Sequence, residues 1–399
     1  MLILGISAYY HDSSAALIDD EHIVAAAQQE RFSRKKHDAR FPAQAVRYVL
    51  DEMRVDISDL SYIAFYDKPL LKFERLLENY YALAPKGLRS FVTAMPIWIK
   101  EKLFTRKNIW EELSKLSNIS LKQRPKLLFP EHHLSHAASA FYPSPFNEAA
   151  ILTIDGVGEW VTTAIGYGIE NQIKFLRETH YPHSLGLLYS AFTAWCGFKV
   201  NSGEYKLMGL APYGNPNSDR TKRFRKVITE QLIDLRDDGS FQLNLSYFDY
   251  ATGLRMYNYR RWHQLFDLPP RDPDAPLTQP YMDMALAIQQ VTEEVVKRLA
   301  MTACRLTGCR NLVMAGGVAL NCVSNAKLLN HEIVDKLWIQ PAAGDAGGAL
   351  GAAYAALHIY AGKSRTPSKN AEDRMQGSYL GPEFGKKDIR PLIARYGAV

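Results

Sequence analysis

The sequence predicts an α/β protein built from two similar lobes that face a cleft. Three observations predict it. First, a strand–turn–strand pattern occurs twice. Ile3-Leu4-Gly5-Ile6-Ser7 aligns with Ile151-Leu152-Thr153-Ile154-Asp155 at one offset (155 − 7 = 148), and that offset also sets Ala15-Ala16-Leu17 on Thr163-Ala164-Ile165. Second, strand, glycine turn and helix alternate in the last third, as an α/β sheet requires. Third, 399 residues are too many for one small core, so two lobes are expected.

The elements follow in order. Leu2–Ala8 reads as a buried strand, with Ala15–Ile18 and Ile23–Ala27 as hairpin partners around an Asp19-Asp20 turn. Ala43–Met53 carries apolar residues at helical spacing. Tyr80–Leu121 is an aromatic and basic insertion with Lys86, Arg89, Lys100, Lys102, Arg106 and Lys107. It reads as a solvated helical excursion with an apolar inner face, or as a substrate entrance or partner contact. The strand Leu127–Phe129 leads into a short helix that ends before Pro143. A second strand set opens at Ala150, with Ile151–Ile154, Val161–Gly166 and Ile173–Leu176. Helices follow at Ser184–Trp195 and Met284–Leu306. The strand Asn311–Ala315 feeds a helix from Val318 to Leu329, and the strand Lys336–Ile339 feeds a helix through Ile359. This divides the chain into a first lobe, 1–149, a second lobe, 150–360, and a last stretch, 361–399, that reads as a polar linker, marked by Lys363, Ser364, Pro367, Ser368, Lys369 and Asn370, and then as the start of a further domain from Tyr379.

With 47% hydrophobic and 23% charged residues, the composition is that of a globular protein and excludes a disordered one. Lys and Arg total 48 against 42 Asp and Glu, and an excess of +6 spread over this length does not call for a nucleic-acid partner. Cys196, Cys304, Cys309 and Cys322 show no CxxC spacing, so a reducing, cytoplasmic location is expected. Met1–Ala8 has no basic segment before it and is cut short by Tyr9-Tyr10-His11-Asp12, so it does not read as a signal peptide. The apolar stretch Ala94–Ile99 contains Pro96 and meets Lys100, so no membrane span is expected.

The strongest chemical signal is Pro130-Glu131-His132-His133-Leu134-Ser135-His136. His132 and His136 stand four apart, so one helix face carries both imidazoles, a geometry suited to a shared metal ion. A zinc-protease motif needs Glu after the first His; His133 stands there instead, which argues against peptide hydrolysis. An isolated pair would also read as hydrogen-bonded histidines. This pair is followed by Asp155-Gly156-Val157-Gly158-Glu159 at a strand end, and Gly344-Asp345-Ala346-Gly347-Gly348 repeats that arrangement. Asp155 alone reads as a turn residue and Asp345 alone as a helix cap. Two imidazoles with one or two carboxylates make a mixed N/O site suited to iron, zinc or manganese more than to calcium or magnesium.

Gly316-Gly317-Val318-Ala319-Leu320-Asn321 lies between strand and helix, where glycines permit close backbone approach to a nucleotide or simply tight packing. Asn321 and Asn325 would face one side, one turn apart. No GxxxxGK[ST] occurs, which excludes a P-loop. In Glu204-Tyr205-Lys206, Glu204 suits ribose hydroxyls and Lys206 a phosphate, or the two form a structural ion pair on a loop. In the first hairpin's turn, His11 suits acid–base work oriented by Asp12, or both are solvated turn residues.

At these residues the sequence resembles the O-carbamoyltransferase family that includes the nodulation-factor, cephamycin and tobramycin enzymes. The resembling segments are Gly5-Ile6-Ser7-Ala8 with His11–Ala16, His132–Phe141, Asp155–Glu159, Glu204–Ala211, Gly316–Asn321 and Gly344–Gly348, in the family's order. The resemblance implies an actin-like fold of the sugar kinase/heat-shock/actin superfamily, near the tRNA threonylcarbamoyl-transfer proteins. It implies a divalent metal of the Fe²⁺ type on His132, His136, Asp155 and Asp345. It implies a nucleotide site along Gly156, Gly158, Glu204, Lys206, Gly316, Gly317, Asn321, Asn325 and Gly344, with His11 or Asp12 taking the acceptor's proton. In that family ATP and carbamoyl phosphate first form carbamoyl-adenylate in a YrdC-like carboxy-terminal domain. The carbamoyl group then passes to a hydroxyl of a sugar or other small molecule. Family members run well beyond this length, and Gly377–Phe384 resembles the entry to that second domain. The expectation is therefore a transferase half that needs a separate YrdC-like activating protein, or a truncated, inactive copy. Two rivals are an ATP-dependent kinase of the same superfamily and a non-catalytic nucleotide-binding subunit.

Overall fold

A computed structural model describes residues 1–99, 103–117, 124–330, 332–366 and 372–397. Lys100, Lys102 and Leu121 of the expected insertion, Pro367–Asn370 of the expected linker, and Val399 lie outside the described residues.

Two five-stranded sheets organise the molecule. The first contains β1 (Leu2–Ser7), β2 (Ser14–Asp19), β3 (His22–Gln28), β4 (Tyr62–Phe65) and β5 (Lys126–Leu128), in the order β3-β2-β1-β4-β5. The second contains β6 (Glu148–Ile154), β7 (Val161–Ile169) and β8 (Gln172–His180). After a small separate hairpin, β9 (Ile233–Leu235) and β10 (Phe241–Leu243), it is completed by β11 (Asn311–Ala315) and β12 (Lys336–Ile339). Read from its other edge, the second sheet runs β8-β7-β6-β11-β12, the order of the first. In each, the first three strands are antiparallel and the remaining pairings parallel. The register repeats as well. Ile3 pairs with Ile18 and Ile151 with Gly166, so both partners move by the same 148 residues (151 − 3 and 166 − 18). The chain thus has the two-lobed, actin-like α/β fold.

Local chemistry sets most boundaries. The helix Ala43–Met53 buries Ala45, Val46, Val49 and Leu50 on one stripe. Ser184 caps Leu185–Trp195 by accepting from the N–H of Leu187 at 3.0 Å. The long helix expected from Met284 starts earlier, at Gln279, with proline in its first turn, and ends at Thr307 before Gly308. The expected Val318–Leu329 helix is split. A 3₁₀ turn, Gly317–Leu320, precedes the helix Cys322–Asn330, because the Asn321 side chain accepts from the N–H of Ser324 at 3.0 Å and starts a new helix.

Two helices cross between the sheets. His132–Phe141 comes from the first half of the chain yet packs on β6, β7 and β11. Asp345–Tyr354 comes from the second half yet packs on β1 and β2, and Ala349–Leu357 belongs to the first hydrophobic core. The expected 150–360 lobe therefore gives up its last helix to the first lobe. Small residues allow this. A Cβ on Gly351 would stand 1.8 Å from the carbonyl oxygen of Ser135, and one on Gly5 would stand 1.8 Å from that of Ala349. Only glycine lets backbones approach so closely.

The insertion forms helices Pro69–Leu83, Leu88–Trp98 and Thr105–Leu116. The third buries Ile109, Trp110 and Leu113 in the first core. The first two reach the second lobe: Arg75 donates to the carbonyl of Gly158 at 2.6 Å, and Ser90 to that of Thr252 at 2.6 Å. The described part of the expected linker is docked. Arg365 donates to the carbonyls of Phe141, Tyr142, Ser144 and Phe146, satisfying groups left free where the His132–Phe141 helix ends. Among the described residues, no helix is long and apolar enough to cross a membrane.

Candidate metal centre and cleft

His132 and His136 project from the buried face of their helix, and the tips of their rings meet, Nε2 to Nε2, at 3.1 Å. Asp155, one residue past β6, brings Oδ2 to 3.1 Å from His132 Nε2 and 3.8 Å from His136 Nε2. Asp345 opens the helix that crosses to the first lobe and brings Oδ1 to 3.6 and 3.7 Å from the same two nitrogens. The four side chains each offer a ligand atom within 4.8 Å of the others.

The group fits a cation. Asp345 Oδ2 and the Nδ1 atoms of both histidines are buried without a hydrogen-bond partner. Burial pushes the His132 pKa well below its usual value, with Lys72 and His136 adding to the effect, so the ring is neutral, the form that ligates. Burial opposes the charge on Asp155, but His132, within hydrogen-bond distance, and the nearby His136 hold its pKa well below the carboxylate range. Burial pushes the Asp345 pKa up; His11 opposes this and Asp155 adds to it. Two buried carboxylates and two imidazoles form a donor set for a borderline divalent ion. His133 points elsewhere. Its Nδ1 lies 2.7 Å from Thr153 Oγ1, and burial lowers its pKa to about 3.

Neighbours hold these ligands in place. The Glu159 carboxylate accepts from the N–H of His132 at 3.0 and 3.1 Å and from that of Lys68 at 2.8 Å, anchoring the helix start. Asp155 Oδ1 accepts from the N–H of Gly317 at 2.8 Å. Ser184 Oγ donates to the carbonyls of Asp155 and Gly156 at 3.2 and 2.7 Å. Buried Lys72 pairs with Asp67 at 2.6 Å and lies 5.2 Å from the centre of the Tyr66 ring, whose ring is in turn 5.4 Å from that of His132.

A cavity of about 270 Å³ opens beside this cluster. Of the residues singled out in the sequence, it is lined by His11, Asp12, Asp155, Gly156, Glu204, Gly317, Asn321, Gly344 and Asp345. Leu187, Met208, Val318 and Leu320 supply apolar wall, and Lys36 and Tyr205 also line it, the Lys36 ammonium 5.1 Å from the ring centre. His11 Nδ1 lies 2.9 Å from Asp12 Oδ2, and its Nε2 faces Asp345 Oδ2 at 3.7 Å. Burial opposes the charge on His11, but Asp345 and Asp12 outweigh it and raise the pKa to about 9.

Four expected nucleotide contacts lie off the cavity. Lys206 is exposed on the helix Glu204–Leu210, two residues and about 200° round from Glu204. Glu204 itself accepts from Ser190 Oγ at 2.7 Å and from the N–H groups of Asn201 and Gly203 at 3.0 and 3.1 Å. Gly158 turns β6 into β7, its N–H donating to Val161 at 2.9 Å. Gly316 ties strand ends together through the Ala343 carbonyl at 2.7 Å. Asn325 lies beneath the 3₁₀ turn and donates to the Ala319 carbonyl at 2.7 Å. The sequence reading missed His37, Glu159 as a helix anchor, and the Asp67–Lys72 pair. A signal for His37 was present: His37-Asp38 repeats the dipeptide His11-Asp12.

Fold and cluster together define a two-lobed α/β protein with a metal-type donor set at the edge of its cleft. The chain belongs to the family described as "Carbamoyltransferase N-terminus", whose model matches residues 2–354. It is 56% identical over 391 residues to "Uncharacterized protein sll1178" of Synechocystis sp., an alignment spanning 98% of this chain and 62% of that protein. It is 32% identical over 382 residues to "Nodulation protein NolNO" of Sinorhizobium fredii, spanning 95% of this chain and 50% of that protein. The chain thus covers less than two thirds of the length of either relative. Among solved structures it is similar to the (R)-2-hydroxyglutaryl-CoA dehydratase component A of Acidaminococcus fermentans, with a TM-score of 0.44, 16% identity, and coverage of 90% of this chain and 99% of that one.

Proposed function

We propose that this chain moves a carbamoyl group from carbamoyl-adenylate to a hydroxyl of a small molecule such as a sugar. The observation that carries the reading is the convergence of His132, His136, Asp155 and Asp345 beside a cavity that His11 also lines. The family supports carbamoyl transfer, and the donor set supports a divalent ion, Fe²⁺ first among the candidates. Such an ion, held by those four side chains, would supply Lewis-acid stabilisation of charge developing on the carbonyl or phosphate oxygen.

The chain's own residues supply the rest. The apolar wall of Leu187, Met208, Val318 and Leu320 takes the adenosine and excludes water that would compete for the carbamoyl group. The acceptor hydroxyl forms a bond to the carbamoyl carbon while the bond from that carbon to the phosphate oxygen breaks, releasing AMP. The hydroxyl proton passes to His11 Nε2, and Asp12 holds the ring through Nδ1. Positive charge placed on Asp155 and Asp345 would remove much of the field that raises the His11 pKa and so favour its basic form. The carbamoyl-adenylate comes, in this reading, from ATP and carbamoyl phosphate through a YrdC-like activating component, whether a further domain of the same polypeptide or a partner protein.

The test supplies carbamoyl-adenylate generated in situ by a YrdC-type enzyme, together with a panel of sugar acceptors. Carbamoylated sugar should form only with the metal-loaded chain and not with His132→Ala. Pyrophosphate release from ATP and carbamoyl phosphate by the chain alone would move the first step into this chain. ATP consumption that needs Mg²⁺ but not His132 would favour a kinase.

A further inference from the structure

We infer that His37 is a positioning residue that fixes Asp12, and through it the ring of His11, so that His11 Nε2 faces the cavity. The inference rests on the proton role given above to His11. Asp12 uses both oxygens: Oδ2 meets His11 Nδ1 at 2.9 Å and Oδ1 meets His37 Nδ1 at 2.6 Å. An ionised carboxylate only accepts, so the proton of each ring sits on Nδ1. That leaves His11 Nε2 as the atom opposite Asp345, and leaves His37 Nε2 without a partner.

The backbone on both sides of this contact is unusual. Asp12 and His37 have φ of 53° and 54°, in the left-handed region that costs energy for residues other than glycine. The surroundings hold both residues there. The Ser13 and Tyr9 N–H groups donate to the carbonyls of Asp38 and Ala39 at 3.1 and 2.9 Å, and the His37 N–H donates to Glu30 Oε2 at 2.8 Å. Two strained residues from separate segments, clamped so that their side chains touch, are what an oriented imidazole requires and what loop closure alone does not. A second cation among Asp12, Glu30 and His37 is the rival use of these groups. Here the donor atoms already have partners: His37 Nδ1 meets Asp12 Oδ1 at 2.6 Å, and Glu30 Oε2 accepts from the His37 N–H at 2.8 Å.

The test compares His37→Gly with His37→Asn. Both residues tolerate a left-handed backbone, and only Asn returns a donor near the position of Nδ1. ¹⁵N NMR of the histidine rings, recorded at a pH above the raised His11 pKa of about 9 so that the ring is neutral, reads the outcome without any transfer assay. His37→Gly should release His11 from the Nδ1–H form into a tautomer mixture, and His37→Asn should restore it. In the transfer assay with carbamoyl-adenylate, His37→Gly should lower kcat about 10- to 100-fold with KM and metal content unchanged, and Asn should recover most of the loss. If the wild-type chain shows no transfer, the carbamoyl reading fails and the NMR comparison still decides the role of His37. The inference is overturned if His11 keeps its tautomer in His37→Gly, if Asn rescues nothing, or if wild type binds a second metal equivalent that His37→Gly loses.

Discussion

Gly351 and Ser135 meet backbone to backbone, and their contact sets the spacing of the proposed metal ligands. Ser135 lies between His132 and His136 on one crossing helix, and Gly351 lies on the other, two turns from Asp345. With a Cβ at Gly351 only 1.8 Å from the Ser135 carbonyl oxygen, any side chain there must separate the helices. Gly351→Ala should cost about 1–3 kcal/mol or more and should weaken metal binding along with stability. Thermal unfolding and metal analysis of the purified variant check both. Unchanged metal content in a stable variant would show that the spacing is not critical.

The donor cluster predicts that metal stabilises the fold. Chelation should lower the unfolding midpoint of wild type, because an ion bound to the native state alone shifts the equilibrium towards it. His132→Ala, which removes one of the four donors, should hold little metal and should respond little to chelator. Full metal occupancy in that variant would count against the site.

Lys72 and Asp67 form a buried ion pair beside the His132 ring. Lys72→Met leaves Asp67 uncompensated and should destabilise the chain by about 3–5 kcal/mol. The double change Lys72→Met with Asp67→Leu should recover part of that loss, because neither charge of the pair is left buried, while Glu159 and Asp345 still lose the Lys72 charge they face. Denaturant unfolding of the two variants makes the comparison. If the double variant is no better than the single, packing rather than charge explains the loss.

His133 predicts acid lability. Its folded pKa of about 3 lies below the 6.5 of an unperturbed histidine, so between these values the unfolded chain binds the extra proton. Stability contributed by the neutral buried ring is present above pH 6.5 and falls as pH drops towards 3. The slope from this one group is at most about 1.4 kcal/mol per pH unit. His133→Asn, which keeps a donor for Thr153, should flatten the acid limb of the stability–pH curve. An identical acid limb in wild type and variant would refute the assignment.

Much of the architecture was legible because its causes are local. The stripe of Ala43–Met53 and the apolar runs Asn311–Ala315 and Lys336–Ile339 mark their elements within a single window. The spacing of His132 and His136 and the strand-end positions of Asp155 and Asp345 could be read as two imidazoles with one or two carboxylates, and only the family resemblance implied all four as one set. The exchange of helices between lobes could not be read, because it depends on glycine meeting a carbonyl more than 200 residues away in sequence. Lys206 lies off the cavity because Glu204 starts a helix, on which a residue two further on points away from the side that Glu204 occupies. His37 was hidden inside the basic run Arg34-Lys35-Lys36, which reads as a solvated stretch until the fold brings it to Asp12.

The repeated sheet carries a last consequence. The 148-residue offset that pairs the strands also sets Ser7 on Asp155. Two matched halves with matched tips would make a cleft with no preferred sense, able to take an elongated guest either way round. A hydroxyl at one tip and a carboxylate at the other break that equivalence, and give the opening a head and a tail.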